Sequence, residues 1–298
     1  MKKIYVLDGM WFLFRAYHAY PQTILMNNGT EGANMIFGFS RMLTKLLSEK
    51  PDNIVVARDP PSVSLLRSIE FPAYKAHRTE MPHDFKNQVK HCRELCKTLG
   101  LSTIEYIGYE ADDSIYTLAK QLIDTPDIML MIYTGDKDLK QLLNCPNVCI
   151  EDPIKEIQRT EKHFVQEFGF EPEHMVDYLA LIGDVSDNVP WARGIWPKGA
   201  KDLILKFQTI ENIYNNLDQV SEKTRTLLEA STDNVKKAKE LIKLYEVPNF
   251  EFDYNYCYKP DVVLRKEVLV GQYNFRAFEK VLDDLKKQFY FTSDGGLF

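Results

Sequence analysis

Short apolar runs that each end at or near an acidic residue constrain the fold of this chain more than any other sequence feature. Three such runs, residues 4–7, 54–57 and 128–133, precede Asp8, Asp59 and Asp136. Runs of this length, bounded by turn or helix signals, are typical of parallel strands buried on both faces of a sheet. Open parallel sheets bind ligands beyond the carboxyl ends of their strands. The pattern therefore predicts an α/β fold whose strand-end acids converge in one crevice.

Strand-like and helix-like segments alternate up to about residue 160. This alternation predicts a mostly parallel, twisted sheet covered by helices on both faces. We expect strands near residues 3–8, 52–58, 102–107, 127–134 and 147–151. Later segments read as helices, at residues 161–168, 174–183, 198–207, 209–216, 221–246 and 274–288. We therefore predict two domains, residues 1–160 and 161–298.

Nine carboxylates stand in tight local groups: Asp8, Asp59, Glu110, Asp112, Asp113, Asp136, Asp138, Asp184 and Asp187. Capping of the following helix explains any single strand-end Asp. It does not explain why Glu110, Asp112 and Asp113 crowd one first turn, because like charges raise each other's pKa unless cations neutralise them. Carboxylate-rich sites without His or Cys suit Mg2+ or Mn2+ rather than zinc. Two such ions would suit in-line attack on a phosphodiester.

The charge and the cysteines narrow the class of protein. The formal net charge of −6 is unusual for a nucleic-acid enzyme, but removing the nine clustered carboxylates leaves +3. The five cysteines include two Cys-x-x-x-Cys pairs, and neither pair has zinc-finger spacing to a second pair or to His. Cys92 and Cys96 read as reduced thiols. The start of the sequence lacks a signal-type apolar region, and no window approaches the ~20 apolar residues of a membrane span. We expect a cytoplasmic protein without membrane association.

A long segment at about residues 60–100 separates the second and third predicted strands and combines prolines with basic residues. Loops this long in a compact domain are usually functional. Residues 74–78, with the sequence Tyr-Lys-Ala-His-Arg, place an aromatic ring beside three groups that are or can become cationic. A solvated basic helix would explain any one of these charges. Their combination is typical of single-stranded nucleic-acid binding, where stacking contributes ~1–3 kcal/mol per base.

The motifs, in their order, resemble the bacterial 5′ to 3′ exonuclease family, the flap-endonuclease-like nuclease also found at the N-terminus of DNA polymerase I. The matching segments are residues 6–9, 14–19, 74–78, 109–113, 134–139 and 183–190. The resemblance implies a PIN-like α/β nuclease core with a helical gateway at about 60–100. It also implies a helical C-terminal DNA-binding region with a helix-turn-turn-helix at about 174–207.

The implied activity is that of a structure-specific 5′ to 3′ exonuclease and 5′-flap endonuclease in DNA replication and repair. A water activated by divalent metal would hydrolyse the phosphodiester bond. The implied substrate is DNA with a free 5′ end or a 5′ flap. We expect a monomer, and a separate DNA polymerase is a candidate partner.

The resemblance also implies roles for individual residues. One metal ion would be bound by Asp8, Asp59, Glu110, Asp112 and Asp113. A neighbouring ion would be bound by Asp136, Asp138, Asp184 and Asp187, with Asp113 and Asp136 between the two. The catalytic set would be Lys75, Arg78, Asp113 and Asp136, with Lys75 and Arg78 steering the scissile phosphate. The expected DNA contacts are Arg15, Arg67, Tyr74, Lys75, Arg78, Arg193, Gly194 and Lys198.

The loop after the last Asp pair departs from the family pattern. Residues 191–198 place Trp191 and Trp196 where glycine is usual. Glycine there lets backbone amides approach a phosphate, or carbonyls approach K+, so the tryptophans count against a K+ site. The indoles would obstruct this approach, stack on nucleic acid or close a hydrophobic contact. We expect altered duplex anchoring.

Two smaller departures lie beside predicted metal ligands. Trp11 follows the first Asp-Gly pair, where small polar residues are usual, and so places an indole near Asp8. Arg58 stands directly before Asp59, where an aromatic residue is usual. An ion pair between Arg58 and Asp59 would lower the pKa of the carboxyl and weaken its binding to metal.

Two other functions stay open. A non-catalytic or weakly active branched-DNA-binding protein would keep this fold with its altered loop, although nine clustered carboxylates would repel phosphate. An RNA-cleaving nuclease of the related PIN-like class would need neither the gateway segment nor the loop after Asp187.

Overall fold

The computed structural model describes residues 1–60, 65–125, 127–153, 155 and 157–290. Part of the predicted gateway, residues 61–64, and the last eight residues of the second predicted domain lie outside this description.

The described chain contains six strands, β1 (Lys2–Asp8), β2 (Asn53–Ala57), β3 (Ser102–Ile104), β4 (Ile128–Tyr133), β5 (Val148–Asp152) and β6 (Ile157–Arg159). The α-helices of the first half are α1 (Gly9–Ala19), α2 (Asn34–Ser48), α3 (Leu66–Glu70), α4 (His83–Thr98) and α5 (Ala111–Leu122). The later ones are α6 (Glu161–Phe168), α7 (Met175–Ile182), α8 (Pro197–Phe207), α9 (Ile210–Asn215), α10 (Glu222–Glu229), α11 (Thr232–Ile242), α12 (Val262–Lys266) and α13 (Glu279–Tyr290).

The described residues form two compact units that interleave along the sequence. The first, called the acidic unit because it holds eight of the nine carboxylates, comprises residue 1 and residues 57–79 and 104–252. The second, called the basal unit, comprises residues 2–56, 80–103 and those from 253 onward. The predicted domains are contiguous, so the division at residue 160 stays a prediction.

The basal unit is built on neighbouring strands in the order β3-β2-β1. The apolar run of β1 is at most 2% exposed from Ile4 to Leu7, as expected for a strand covered on both faces. Helix α2 buries Met35, Ile36, Phe39 and Leu43 along one stripe. This spacing of three and four residues is that of an amphipathic helix.

The acidic unit contains strands β4, β5 and β6 in that order, with helices α3 and α5 to α11. Strands β4 and β5 pair in parallel, with Leu130 opposite Val148. Strand β6 is antiparallel to β5, with Arg159 opposite Ile150. The predicted α/β architecture, with a mostly parallel sheet, flanking helices and a helical C-terminal region, is confirmed.

Two features differ from the sequence-based expectation. Strand β6 was not expected, because its three residues are largely exposed and provide no apolar run. The helix expected at 221–246 is two helices, α10 and α11, separated at Ala230 and Ser231. Ser231 is the N-cap residue of α11.

No described helix combines the length and the apolar character that crossing a bilayer requires.

Candidate active site

Asp8 and Arg15 belong to the basal unit. Asp8 is the N-cap of α1, where its Oδ1 accepts a hydrogen bond from the backbone N–H of Trp11 at 3.1 Å. This is the capping role that strand-end Asp residues commonly have. Arg15 is exposed on the same helix. The other predicted site residues all lie in the acidic unit.

The Asp59 side chain contacts the N-terminus of α5. Its Oδ1 accepts a hydrogen bond at 2.8 Å from the backbone N–H of Ala111, the first residue of that helix. Burial raises the pKa of Asp59, which outweighs the lowering by this hydrogen bond. Arg58 makes an ion pair with Glu105 at 3.4 Å. The net pKa shift of Asp59 is upward because desolvation dominates, whereas an ion pair with Arg58 alone would lower the pKa.

Arg67 lies inside the acidic unit with 3% of its surface exposed. Its guanidinium forms a two-pronged ion pair with Asp113 at 2.7 Å for each prong and also contacts Glu110 at 3.0 Å. Burial alone would lower the pKa of Arg67, but its hydrogen bonds to Asp113 and the charges of both acids raise it. Arg67 was expected to contact DNA; in this structure its partners are acids and backbone carbonyls of the protein.

Lys75 and Arg78 lie beside the acids. Lys75 Nζ donates a hydrogen bond to Glu110 and lies 3.6 Å from Asp187 Oδ2, while Arg78 pairs with Asp187 Oδ1. Burial would raise the pKa of Glu110, yet the charges of Lys75 and Arg67 lower it. For Lys75, burial would lower the pKa, but Glu110 and other neighbouring groups raise it. The structure thus brings together four predicted site residues.

The backbone holds this basic segment in place. Lys75 has a φ of 56°, in the left-handed region that non-glycine residues rarely adopt. Its N–H donates to the carbonyl of Asp187 at 2.9 Å, and the Asn188 side chain donates to the carbonyl of Ala73 at 2.7 Å. Unfavourable backbone conformations persist where surrounding contacts over-determine them. The contacts with residues 187–188 therefore hold the backbone from which the Lys75 side chain extends.

Tyr74 is buried, with 7% of its surface exposed. Its hydroxyl donates to Glu110 Oε2 at 2.9 Å, and Lys75 Nζ lies 4.8 Å from the centroid of its ring. A largely covered ring offers little surface for a nucleobase. The structure therefore shows Tyr74 as a support for Glu110 and Lys75, whereas the sequence had suggested a stacking surface.

Asp136 and Asp138 follow β4 in a tight turn. The N–H of Asp138 donates to Asp136 Oδ1 at 2.8 Å, and the N–H of Asp136 donates to the Thr134 hydroxyl at 3.0 Å. Burial raises the pKa of Asp136, and burial together with the charge of Asp136 raises the pKa of Asp138 to about 7. Their negative charge is therefore incompletely neutralised by the protein.

Asp184 and Asp187 lie in the loop after α7. Asp184 Oδ1 accepts from the N–H and the hydroxyl of Ser186, at 2.7 and 2.5 Å. Lys137 Nζ lies 2.8 Å from Asp184 Oδ2; burial would raise the pKa of Asp184, but Lys137 and Ser186 lower it. Gly183 begins this loop with a φ of +64°, and a Cβ there would lie 2.7 Å from two carbonyl oxygens, so glycine is required.

The loop with the two tryptophans connects α7 and α8 through two turns, at residues 185–188 and 193–194, in the segment where a helix-turn-turn-helix was predicted. Gly194 has a φ of +87°, and Trp196 is the N-cap of α8 with Pro197 at its first position. The Trp196 residue is 76% exposed, and Lys198 and Arg193 are also exposed. Trp191 is half-buried, and its Cβ would lie 2.8 Å from a Cβ added to Gly183.

Two contributors were missed from the sequence. Lys137 stands between Asp136 and Asp138, and a lysine flanked by two acids is a detectable signal. Tyr245, whose N–H donates to Asp113 Oδ1 at 2.8 Å, carries no signal because its contact is made by the backbone.

The donor set suits a hard divalent cation. It consists of carboxylate oxygens, and Asp59, Asp136 and Asp138 have raised pKa values because their charge is buried without full compensation. In the described parts of the chain, no group of three or more His, Cys, Asp or Glu side chains is arranged to hold a metal ion. Glu110, Asp184 and Asp187 instead contact Lys75, Lys137 and Arg78. A metal ion that binds these acids would replace the lysine and arginine side chains as their partner.

The class of protein that these features indicate is a metal-dependent nuclease: a mostly parallel sheet, acids beyond its strand ends, and lysine and arginine beside the acids. Residues 3–169 match the family model for the N-terminal resolvase-like domain of 5′-3′ exonuclease, and residues 170–261 match that for its C-terminal SAM fold. The chain belongs to the 5′-3′ exonuclease family.

Individual relatives agree with this assignment. The chain is 35% identical over 246 residues to a 5′-3′ exonuclease of Aquifex aeolicus, covering 82% of each protein. It is 36% identical over 246 residues to DNA polymerase I of Caldicellulosiruptor bescii, covering 80% of this chain and 28% of the polymerase. The chain thus spans under a third of the length of the polymerase I relatives that it matches.

Solved structures share the fold. The T5 D15 flap endonuclease, crystallised with DNA and metal ions, aligns with a TM-score of 0.67 at 22% identity over 97% of this chain and 98% of that one. The catalytic core of Rad2 in complex with DNA substrate aligns with a TM-score of 0.63 at 17% identity, covering 95% and 92%.

Proposed function

We propose that this chain is a structure-specific 5′ to 3′ exonuclease and 5′-flap endonuclease that acts on DNA with Mg2+ or Mn2+. The observation that carries the proposal is the contact of Lys75 and Arg78 with Glu110 and Asp187. Lys75 and Arg78, which we assign to phosphate binding, lie directly beside acids that we assign to metal binding. A phosphodiester brought to this point would meet both kinds of group.

Each set of residues has a separate task. Asp136, Asp138, Asp184 and Asp187 would hold one divalent ion, and Asp59, Glu110 and Asp112 would contribute to a second; Asp8 is assigned to the second by sequence resemblance. Bound ions would supply an activated water and neutralise charge on the phosphate. Lys75 and Arg78 bind the phosphate, since its oxygens can replace the carboxylate oxygens that they now contact.

The comparisons support DNA as the substrate. The Aquifex relative is named a 5′-3′ exonuclease, and the T5 and Rad2 structures are described as complexes with DNA. The polymerase I relatives combine a matching segment with a longer chain, which supports a separate DNA polymerase as a functional partner. A monomeric state, a cytoplasmic location and the number of two ions are part of the proposal. A K+ site near Gly194 stays a prediction.

Cleavage of a 5′-flap duplex with and without Mg2+ tests the proposal. Wild type is expected to release the flap only with Mg2+, and Asp136→Ala/Asp138→Ala is expected to abolish cleavage. Asp218→Ala/Glu229→Ala, which removes two exposed acids from the acidic unit, is the matched control and should cleave like wild type. Binding of the flap without cleavage by wild type would instead support the branched-DNA-binding protein.

The exposed indole of Trp196 tests duplex anchoring. Trp196→Gly is expected to tighten binding to duplex more than to single-stranded DNA, because it uncovers the N-terminal amides of α8. Fluorescence anisotropy without Mg2+ measures both affinities. An unchanged duplex affinity would show that the indole does not obstruct the backbone.

A further inference from the structure

Asp113 has no lone pair left for a metal ion. Its Oδ1 accepts from Arg67 Nη2 at 2.7 Å and from the N–H of Tyr245 at 2.8 Å. Its Oδ2 accepts from Arg67 Nη1 at 2.7 Å and from the N–H of Glu110 at 3.0 Å. A carboxylate offers about four acceptor positions, and all of them are used. The residue is also 0% exposed.

Arg67 likewise has no donor left for DNA. Besides its three bonds to Asp113 and Glu110, its Nε donates to the carbonyl of Leu241 at 3.0 Å, and Nη2 donates to the carbonyl of Lys243 at 2.8 Å. A guanidinium has five N–H groups, and each has an acceptor. The Cζ atom of the guanidinium also lies 4.3 Å from the ring centroid of Tyr245.

These bonds join the first turn of α5 to the end of α11. The carbonyls of residues 241 and 243 lie at the C-terminus of α11, where the helix dipole favours a cation. The chain then continues along α5, where the N–H of Val247 donates to the Thr117 hydroxyl at 2.9 Å. That hydroxyl in turn donates to the carbonyl of Asp113 at 2.7 Å. All of these residues belong to the acidic unit.

We infer that Asp113 and Arg67 are positioning residues: together they fix the Glu110–Asp112 turn on residues 241–247, and neither binds metal or DNA. This role rests on the proposed function. It separates the acids that bind metal from an acid that only orients them. Glu110 and Asp112 remain candidates for metal binding. Asp113, although it stands next to Asp112 in the sequence, would orient them through Arg67.

A comparison with an exposed acid tests the role of Asp113. In EDTA, Asp113→Asn is expected to lower Tm by several degrees, because it leaves Arg67 buried with a broken ion pair. Asp218→Asn, at an exposed acid of the same unit, is the control and should leave Tm unchanged. An unchanged or higher Tm for Asp113→Asn would overturn the inference.

DNA binding over a range of salt concentrations tests Arg67. Without Mg2+, Arg67→Met is expected to leave the salt dependence of flap binding unchanged, whereas Arg78→Met should reduce its slope by about one unit. With Mg2+, at a temperature where both proteins are folded, Arg67→Met should lower kcat at least tenfold with KM for DNA within about twofold. A reduced salt slope would make Arg67 a DNA contact, and an unchanged kcat would make its role purely structural; either overturns the inference.

A double variant keeps the test decisive if Arg67→Met fails to fold. Arg67→Met/Asp113→Asn removes both charges together, so its Tm is expected to exceed that of the less stable single variant. Additive losses of Tm would contradict a coupled pair. The EDTA experiments do not depend on cleavage, so an inactive wild type would overturn the proposed function while these results still decide the positioning role.

Discussion

Two acidic groups of the same unit differ in how the protein neutralises them. At the beginning of α5, Glu110 and Asp113 meet Arg67, and Lys75 also contacts Glu110, whose pKa is lowered. After β4, Asp136 and Asp138 are held mainly by backbone and side-chain hydrogen bonds, and their pKa values are raised. The charged carboxylates of the first group are stabilised by ion pairs with protein side chains. The second holds unbalanced negative charge, which favours binding of an external cation.

The largest loss of stability is expected at the neutralised group, Glu110 and Asp113. Arg67→Ala is expected to lower the free energy of unfolding by about 3–5 kcal/mol, since it leaves Glu110 and Asp113 buried without their cation. Urea denaturation in EDTA measures the loss. Arg193→Ala, at an exposed arginine of the same unit, is the control and should change stability by less than about 0.5 kcal/mol. A loss of similar size in both variants would remove the distinction between the two acidic groups.

Removal of a charge from the unbalanced group, Asp136 and Asp138, should have the opposite effect and raise stability. Asp138→Asn is expected to raise the free energy of unfolding in EDTA at pH 8 by about 1–2 kcal/mol, a value reduced for partial solvent exposure. The folded-state pKa of Asp138 is raised to about 7, so its ionisation opposes folding above that pH. The gain should shrink as the pH falls from about 7 to about 4, where the unfolded carboxyl also becomes protonated. Urea titrations at several pH values check this sign; a loss of stability at pH 8 would contradict it.

Asp59 combines a raised pKa with a structural hydrogen bond, so two substitutions should separate its contributions. Asp59→Ala is expected to lower the free energy of unfolding by about 1 kcal/mol, because the N–H of Ala111 loses its acceptor at the start of α5. Asp59→Asn keeps an acceptor without the buried charge and should be neutral or slightly stabilising. Thermal unfolding in EDTA distinguishes the two variants. Equal losses would show that the charge itself supports the helix.

The smallest effect is expected for Lys137, whose side chain is 42% exposed in its ion pair with Asp184. Lys137→Met should change stability by no more than about 0.5 kcal/mol, since exposed ion pairs contribute little. It should nevertheless raise the pKa of Asp184, which carboxyl NMR can follow. A stability loss as large as that of Arg67→Ala would place this pair with the neutralised group.

The sequence was sufficient for the framework of the site. Apolar runs before Asp8 and Asp136 predicted strands β1 and β4, because burial on both faces leaves a local pattern in the chain. Motif order predicted the family, and with it the helical region after the last Asp pair. The closely spaced acids around Glu110 and Asp136 could also be found, since each group is local.

The electrostatic division of the acids could not be predicted. The partners of Arg67 lie 43 to 176 residues away in sequence, and two of them are backbone carbonyls without a residue signature. Arg58 stands next to Asp59 in sequence, yet burial rather than this neighbour determines the direction of the Asp59 pKa shift. Which acid meets a cation depends on tertiary packing, and sequence proximity does not encode it.

The segment along α5 provides two natural reporters of the acidic turn. The amide N–H groups of Tyr245 and Val247 donate hydrogen bonds to the side chains of Asp113 and Thr117. Their exchange with solvent deuterium therefore requires this face of α5 to open, a local event distinct from global unfolding. Hydrogen-exchange rates at these two amides would measure how often the turn is formed in solution, without substrate and without chemistry.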